Sequence, residues 1–232
     1  MRNVLHEQPT LDLYGRLEFS IAFVGADSFA ERDWLDVGCG FGWFERFARD
    51  HDVRSIVGVE LGEEDLRAAR EIAGGPVSFT AASVLDLPFA DQSFDGVAMW
   101  EVLEHLPPGT ENRAFAEIAR VLRPGGSVYL STPHSTLATV ATDPARWLIG
   151  HRHYQPSAVR GYAEEAGLDV SRLELRGGWW EILHMNDLYF SKWVLRRRPL
   201  FEQFFRRRVD AEWTRGTSRF VHVFIEATKS GS

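Results

Sequence analysis

The stretch 35–44 combines one carboxylate with three closely spaced glycines. Asp36 stands two positions before the first glycine of Gly38-x-Gly40-x-Gly42, and the residues before it form an apolar strand pattern. Glycine adopts positive φ freely and lets another group approach the backbone closely. A glycine-rich turn between a strand and a helix therefore presents free N–H groups and the positive end of the helix dipole to a ligand. The alternative is a tight strand-to-helix turn that binds nothing.

A second carboxylate, Glu60, ends the apolar segment 54–60. It follows the glycine turn by about 20 residues, which is the offset of a ribose-binding carboxylate. A carboxylate at that place can accept hydrogen bonds from both ribose hydroxyls, although a plain surface acid at a strand end is the alternative. The glycine spacing differs from the Gly-x-Gly-x-x-Gly of dinucleotide-binding turns.

Two further segments follow in order, 82–97 (ASVLDLPFADQSFDGV) and 122–133 (LRPGGSVYLSTP). Together with the glycine turn and Glu60, they resemble the ordered motifs of the class I S-adenosylmethionine-dependent methyltransferases, in particular the type 11, quinone-biosynthesis-like enzymes that act on small molecules. The resemblance covers residues 35–133. It implies S-adenosylmethionine as the cofactor and a Rossmann-like α/β fold.

The resemblance also implies the residues that bind the cofactor. The glycine turn and Asp36 would hold the methionyl part, the segment at Glu60 the ribose, and the segment at 83–86 the adenine. Alignment on Leu87-Pro88-Phe89 places Ser83 where relatives usually have Asp or Asn, so Asp86 is the alternative reader of the adenine. The implied set is Asp36, Gly38, Cys39, Gly40, Glu60, Leu61, Ser83, Val84 and Asp86.

Methyl transfer to a hydroxyl requires alignment of the acceptor, exclusion of water and removal of the acceptor proton. The acceptor is expected beyond the carboxyl ends of strands four and five. Glu104 and His105 follow strand four in the sequence Trp100-Glu-Val-Leu-Glu-His-Leu106. We interpret them as the base or orienting groups. A purely structural role for His105 is the alternative.

Glu101, Glu104, His105 and His134 form an E-x-x-E-H…H set. It resembles the divalent-metal site of small-RNA 3′-end methyltransferases. The spacing would put the first three on one helical face, and mixed oxygen and imidazole ligands suit magnesium, manganese or zinc. A His–carboxylate pair without metal is the alternative.

The link after strand five contains Gly150-His-Arg-His-Tyr154. Relatives place acceptor-binding residues in this link, so His153 is a third candidate catalytic residue. A loop histidine that caps the helix beginning at Pro156 is the alternative.

Composition indicates a globular protein. The chain has 232 residues, 44% of them hydrophobic and 25% charged, and lacks an apolar run near the roughly 20 residues that span a bilayer. The first residues lack the apolar core of a signal peptide, and Cys39 is the single cysteine. We therefore expect a cytoplasmic location. The net charge of −7 argues against general nucleic-acid binding.

Strand and helix patterns alternate along the chain. We predict strands near 33–37, 54–60, 76–80, 93–100, 126–132, 168–175 and 219–228, and helices near 11–24, 42–50, 62–73, 109–122 and 156–167. This order predicts a seven-stranded, doubly wound sheet whose last strand is antiparallel. We expect one domain, comprising an N-terminal cap (1–30), a cofactor-binding core (31–135), an acceptor-side segment (136–176), a helical insert (177–216) and a last strand with a tail (217–232).

The insert 177–216 is too long for an unstructured connection. Its segment 188–208 carries seven basic residues and one acidic residue, interspersed with aromatic residues. We predict two helices, near 182–197 and 199–213, that form a lid over the acceptor, a homodimer contact or a peripheral contact with an anionic membrane. Simple packing with a solvated arginine face is the alternative.

These patterns together predict O-methylation of a small molecule or glycan, including a lipid-linked one. N-methylation of an amino sugar or amine, and a non-catalytic cofactor-binding homologue, are the alternatives.

Overall fold

The computed structural model describes residues 12–63, 66–197, 199, 201–216 and 219–231. A single seven-stranded sheet has the order β3-β2-β1-β4-β5-β7-β6. Its strands are β1 (Asp33–Val37), β2 (Ser55–Glu60), β3 (Val77–Ala81), β4 (Phe94–Trp100), β5 (Leu122–Pro133), β6 (Leu168–Arg176) and β7 (His222–Lys229). β7 runs antiparallel to both of its neighbours, whereas β1 to β5 pair in parallel. The predicted Rossmann-like fold with an antiparallel last strand is confirmed.

Nine α-helices lie among the described residues: α1 (Arg16–Val24), α2 (Trp43–Arg49), α3 (Leu66–Ala69), α4 (Glu111–Val121), α5 (Leu137–Thr142), α6 (Pro144–Ile149), α7 (Pro156–Glu165), α8 (Trp179–Tyr189) and α9 (Glu202–Arg215). A 3-10 turn covers Leu103–His105, and a π-helical segment, Phe190–Leu195, continues α8. In the described part of the chain, no helix combines the length and the apolar character needed to cross a membrane.

Successive residues of each strand pack into opposite cores, because side chains alternate across a sheet. Val97 and Met99 of β4 face the core that contains Phe115 of α4. Ala98 and Trp100 face the second core, in which α1, α2 and α9 contribute Phe23, Phe44 and Trp213. Both faces of the sheet are therefore covered, and its carboxyl edge is left to form a site.

The insert packs against the fold as a pair of helices. Val209 and Trp213 of α9 belong to the second core. The Glu212 carboxylate accepts hydrogen bonds from the N–H groups of Trp180 and Glu181, each at 3.2 Å, and so satisfies free donors at the start of α8. Contact with a second copy or with a membrane stays a prediction of the sequence.

Some predicted bounds differ from the structure. β5 begins at Leu122, earlier than expected, because Leu122 pairs with Phe94 before an irregularity in the ladder. The predicted helix 11–24 begins at Arg16, and residue 11 lies outside the described residues, as do Glu64 and Asp65 of the predicted helix 62–73 and Arg198 and Leu200 of the insert.

Candidate active site

The glycine turn between β1 and α2 requires glycine at its first position. Gly38 has φ of 75°, and a Cβ there would collide with Cγ2 of Val102. The N–H groups of Gly38 and Cys39 donate to the carbonyl oxygen of Val59 at 2.8 and 3.1 Å, which ties the turn to β2. A Cβ on Gly40 would meet nothing within 4 Å, so this part of the turn is open to a ligand.

Asp36 lies beneath this turn and does not line the cavity beside it. It is 1% exposed and neighbours Glu45 of α2, which is fully buried. Burial and the charge of Glu45 raise the pKa of Asp36 well above its ordinary value. Burial likewise raises the pKa of Glu45. Asp36 is not among the residues that line the cavity, and its contact with the methionyl group stays a prediction.

A large cavity, of about 1400 Å³, opens at the carboxyl edge of the sheet. Five of the nine predicted cofactor residues line it: Gly38, Glu60, Leu61, Ser83 and Val84. An Oε1 atom of Glu60 accepts the Leu61 N–H at 2.9 Å, which leaves its second oxygen for another donor. These residues fit a nucleoside cofactor. The Glu60 carboxylate can bind ribose hydroxyls, and the short segment at Ser83 and Val84 can bind a base in the same cavity.

Two other predicted cofactor residues, Cys39 and Asp86, do not line the cavity. Cys39 is buried, and burial raises the pKa of its thiol. The N–H of Asp86 donates to the carbonyl of Ser83 at 3.0 Å, and Asp86 does not line the cavity. Ser83 does line it, while its Oγ accepts the Leu85 N–H at 3.2 Å. The position chosen by alignment is therefore the one that faces the cavity.

At the other end of the cavity, Glu104 and His105 meet a residue that the sequence analysis did not select. His151 lies with its ring centroid 4.7 Å from that of His105, and its Nε2 is 3.6 Å from Oε1 of Glu104. All three line the cavity. Nδ1 of His151 lies 3.0 Å from Oδ2 of Asp143, whose other oxygen accepts the Ala145 N–H and caps α6.

Burial and mutual charge shift the pKa values of this cluster in different directions. Burial, with a contribution from Glu101, raises the pKa of Glu104. Burial alone would lower the pKa of His151, but Asp143 and Glu104 raise it. Burial and the charge of His151 lower the pKa of His105 to about 4. The cluster thus holds a neutral His105 imidazole beside the Asp143–His151 carboxylate–imidazole pair.

His153, the predicted third catalytic residue, lies on the far side of Asp143. Its Nε2 is 3.4 Å from Oδ2 of Asp143, and it lines only a second, small cavity of about 20 Å³. His151 takes the place at the large cavity that the sequence analysis gave to His153. Both histidines belong to the motif 150–154, but which one faced the acceptor depended on the path of the loop.

The predicted metal set is not assembled as one group. Residues 101–105 do not form the expected helical face, because only a 3-10 turn forms before Pro107 and Pro108. Ligand atoms of Glu104, His105 and His151 all lie within 4.8 Å of one another. Glu101 turns to His222 instead, and His134 pairs through its backbone with Val221 and Tyr154.

A second buried ionic group was missed by the sequence analysis. Oε2 of Glu101 lies 3.1 Å from Nδ1 of His222 on β7, and Nε2 of His222 lies 3.7 Å from Oε1 of Glu181 on α8. Burial would lower the pKa of His222, but the two carboxylates raise it to about 9. One signal in the sequence could have indicated this group: His222 occupies an inward position in the alternating apolar pattern 219–228.

Residues of the segment before α1 and of α1, α8 and α9 also line the cavity. They include Tyr14, Arg16, His184, Met185, Leu188 and Arg206. The Arg206 guanidinium lies 4.6 Å from the ring centroid of Tyr14 and donates to Asp12 at 2.7 Å. The insert therefore contributes residues to the lining of the cavity, and its role as a lid stays a prediction.

A doubly wound sheet with the last strand antiparallel, and a nucleoside-type site at its carboxyl edge, define the class I S-adenosylmethionine-dependent methyltransferases. Residues 35–130 match the family described as "Methyltransferase domain". Residues 35–130 therefore match a methyltransferase domain within a fold of this class, and S-adenosylmethionine is the cofactor that this family implies.

Three curated relatives are similar over part of their length. The methyltransferase GfsG of Streptomyces halstedii is 32% identical over 72% of this chain and 60% of its own. A ubiquinone biosynthesis O-methyltransferase of Nitrosospira multiformis is 35% identical over 62% of this chain and 65% of its own. The O-methyltransferase resE of Aspergillus sclerotiorum is 39% identical over 47% of this chain and 43% of its own. The chain thus spans about half to two thirds of these relatives.

Solved structures share the fold at low sequence identity. A methyltransferase from Mesorhizobium loti has a TM-score of 0.67 at 19% identity and covers 95% of this chain and all of its own. The [4+2]-cyclase SpnF has a TM-score of 0.69 at 20% identity, covering 100% of this chain and 92% of its own. Since the second is named for a different reaction, the fold alone does not decide the chemistry.

Proposed function

We propose that the protein is an O-methyltransferase, which transfers the methyl group of S-adenosylmethionine to a hydroxyl of an amphipathic small molecule, including a sugar or a lipid-linked acceptor. One observation carries the proposal. The cofactor-side residues Glu60 and Ser83 and the proton-accepting cluster of Glu104, His105 and His151 line the same cavity. The names of the relatives from Nitrosospira and Aspergillus support O-methylation.

The cluster would supply the base for a hydroxyl acceptor. The cofactor provides an electrophilic methyl group and leaves as a neutral thioether. His105 is the exposed member of the cluster. Its lowered pKa keeps the imidazole neutral and free to accept a proton, and also makes it a weaker base than an ordinary histidine. Glu101 and Asp143 favour the positive charge that develops there, and His151, held by Asp143, packs against the His105 ring and orients it. Because these groups interact, the protons they hold belong to the cluster as a whole.

The size and lining of the cavity support an acceptor with an apolar part. Pockets for one drug-sized ligand measure roughly 300–1,000 Å³, so 1400 Å³ accommodates the cofactor and a sizeable acceptor. Ile149, Met185 and Leu188 line the cavity near its rim. Ile149 is partly exposed, and the nearby Trp147 of the same helix is 76% exposed. An apolar chain on the acceptor would cover this surface.

A divalent cation is the other way to activate the hydroxyl. Glu104, His105 and His151 are the residues that would hold it, because their ligand atoms lie within 4.8 Å of one another and Oε1 of Glu104 is buried without a hydrogen bond. The cation would lower the pKa of a coordinated hydroxyl. If methyl transfer is unchanged after dialysis against EDTA, activation by a cation is rejected and activation by His105 is retained.

The test is methyl transfer from radiolabelled S-adenosylmethionine to three probes that share an octyl chain: octyl gallate, octyl β-glucoside and octylamine. We expect label in an ether of the phenol or the glucoside, and loss of that label in His105→Asn. Label in octylamine alone would indicate that the protein is an N-methyltransferase and not an O-methyltransferase. Binding of S-adenosylhomocysteine without any transfer would indicate a cofactor-binding homologue that lacks turnover.

A further inference from the structure

Three other ionisable side chains that line the cavity meet beside one another. Glu101 follows the end of β4, His222 begins β7, and Glu181 lies in the first turn of α8. The His222 ring stands between the two carboxylates, at 3.1 Å from Glu101 and 3.7 Å from Glu181. All three line the cavity.

These groups retain unused hydrogen-bonding capacity. His222 is 2% exposed, and neither ring nitrogen has a partner in hydrogen-bonding geometry despite the short ionic distances. Glu101 accepts one hydrogen bond, from Ser131 at 2.5 Å, and Glu181 accepts one from the Trp213 indole at 2.6 Å. Each carboxylate can accept about four hydrogen bonds. Burying such groups without further partners is costly, so a polar ligand is the expected partner.

The backbone holds these side chains in place at some cost. Glu101 has φ of 54°, a left-handed conformation that is unfavourable for a non-glycine residue. Glu181 is fixed because its own N–H and that of Trp180 are bound by Glu212. Strained residues that the surrounding structure enforces are concentrated at functional sites.

The charges around this wall favour a neutral ligand group. Arg16 of α1 also lines the cavity and lowers the pKa of both Glu101 and Glu181. Two carboxylates are then balanced by one imidazolium and one guanidinium. A hydroxyl can donate to a carboxylate and accept from the imidazolium N–H, whereas an ammonium group can only donate.

We propose that Glu101, His222 and Glu181 form an acceptor subsite that binds a second hydroxyl group, apart from the hydroxyl that is methylated beside His105. The subsite selects polyhydroxylated acceptors over those with a single hydroxyl. It rests on the proposed function, because it assumes that the remainder of the cavity holds an acceptor. Its three residues position the acceptor and do not exchange protons with it.

The test compares two probes that differ in hydroxyl number, octyl gallate and octyl 4-hydroxybenzoate. Calorimetry on protein saturated with S-adenosylhomocysteine measures their binding without any turnover. We expect octyl gallate to bind about tenfold more tightly, because its additional hydroxyl groups form hydrogen bonds with charged side chains. In Glu181→Gln and in His222→Gln this preference should fall to within about twofold.

A matched control is Glu226→Gln, the same chemical change on β7 at a side chain that pairs with Arg172. It should keep the tenfold preference. If His222→Gln does not fold, Glu181→Gln alone can test the subsite. The amide oxygen of the new glutamine can still accept the hydrogen bond from Trp213 and so preserve the contact with α9.

Equal binding of the two probes by the native protein, binding of neither, or an unchanged preference in a folded variant would overturn the subsite. Failure of methyl transfer with the preference intact would overturn the proposed reaction and leave the subsite standing. The two proposals thus fail separately.

Discussion

Nδ1 of His151 lies 3.0 Å from Oδ2 of Asp143, and the same carboxylate oxygen lies 3.4 Å from Nε2 of His153. One aspartate therefore contacts both histidines of the motif 150–154, but only His151 lines the large cavity. This difference gives the two histidines separate expected roles, although they are two residues apart and share a partner.

Replacing Asp143 by Asn should lower kcat at least tenfold and leave the affinity for S-adenosylhomocysteine unchanged. An amide can still cap α6, since Asn is a good N-cap residue, but it no longer supplies the negative charge that favours a protonated His105. Single-turnover methyl transfer to octyl gallate measures the effect. A normal rate in a folded variant would remove the Asp143–His151 pair from the mechanism.

His151→Gln and His153→Gln form a matched pair. The first should reduce turnover by about 10²-fold or more, as expected for loss of a group that supports proton removal. The second should reduce it much less, because the His153 side chain reaches the site only through Asp143. Rates for both variants, with calorimetry of cofactor binding, make the comparison. A larger loss in His153→Gln would restore the role predicted from the sequence.

Gly38→Ala should destabilise the fold by roughly 2–4 kcal/mol, because φ is positive and the new methyl group would collide with Val102. Gly40→Ala also has positive φ but open space around its Cβ, so about 1 kcal/mol is expected. Urea unfolding compares the two variants. Equal losses would show that the contact with Val102 does not matter.

Glu60→Gln should weaken binding of S-adenosylhomocysteine by roughly tenfold or more, because the ribose hydroxyls lose a charged acceptor. Glu63→Gln is the control, because Glu63 lies only three positions after Glu60 and is an exposed partner of Arg70. Calorimetry of both variants measures the affinities. Equal affinities in the two variants would contradict the ribose-binding role.

The fold, and the residues that line the cavity beside the glycine turn, were predictable from the sequence because their signals are local. The glycine turn, Glu60 and Ser83 each lie in a segment that directly follows a strand, and parallel strands bring their carboxyl ends to one edge. The pairing of Glu104 with His105 was local for the same reason.

The acceptor end was only partly predictable because its partners come from distant elements. Glu101 was assigned to a helical face that Pro107 and Pro108 prevent. His222 follows the inward pattern of a core strand, and its partner Glu181 lies in the insert, whose packing the sequence did not specify. Contacts of this kind depend on tertiary structure.

His222→Gln should destabilise the protein by an amount that depends on pH. The pKa of His222 is raised from 6.5 to about 9 in the folded protein. Its stabilising contribution is therefore fully present below pH 6.5 and is lost as the pH rises through 9. Removing one member of a buried ion pair costs about 3 kcal/mol or more, so the difference in unfolding free energy should be largest at pH 6 and shrink by pH 10.

Urea unfolding of native and variant protein at pH 6, 7.5 and 10 measures this difference. Glu226→Gln is the control, and its effect should not decline over this range. A difference that grows with pH would show that His222 is neutral in the folded protein.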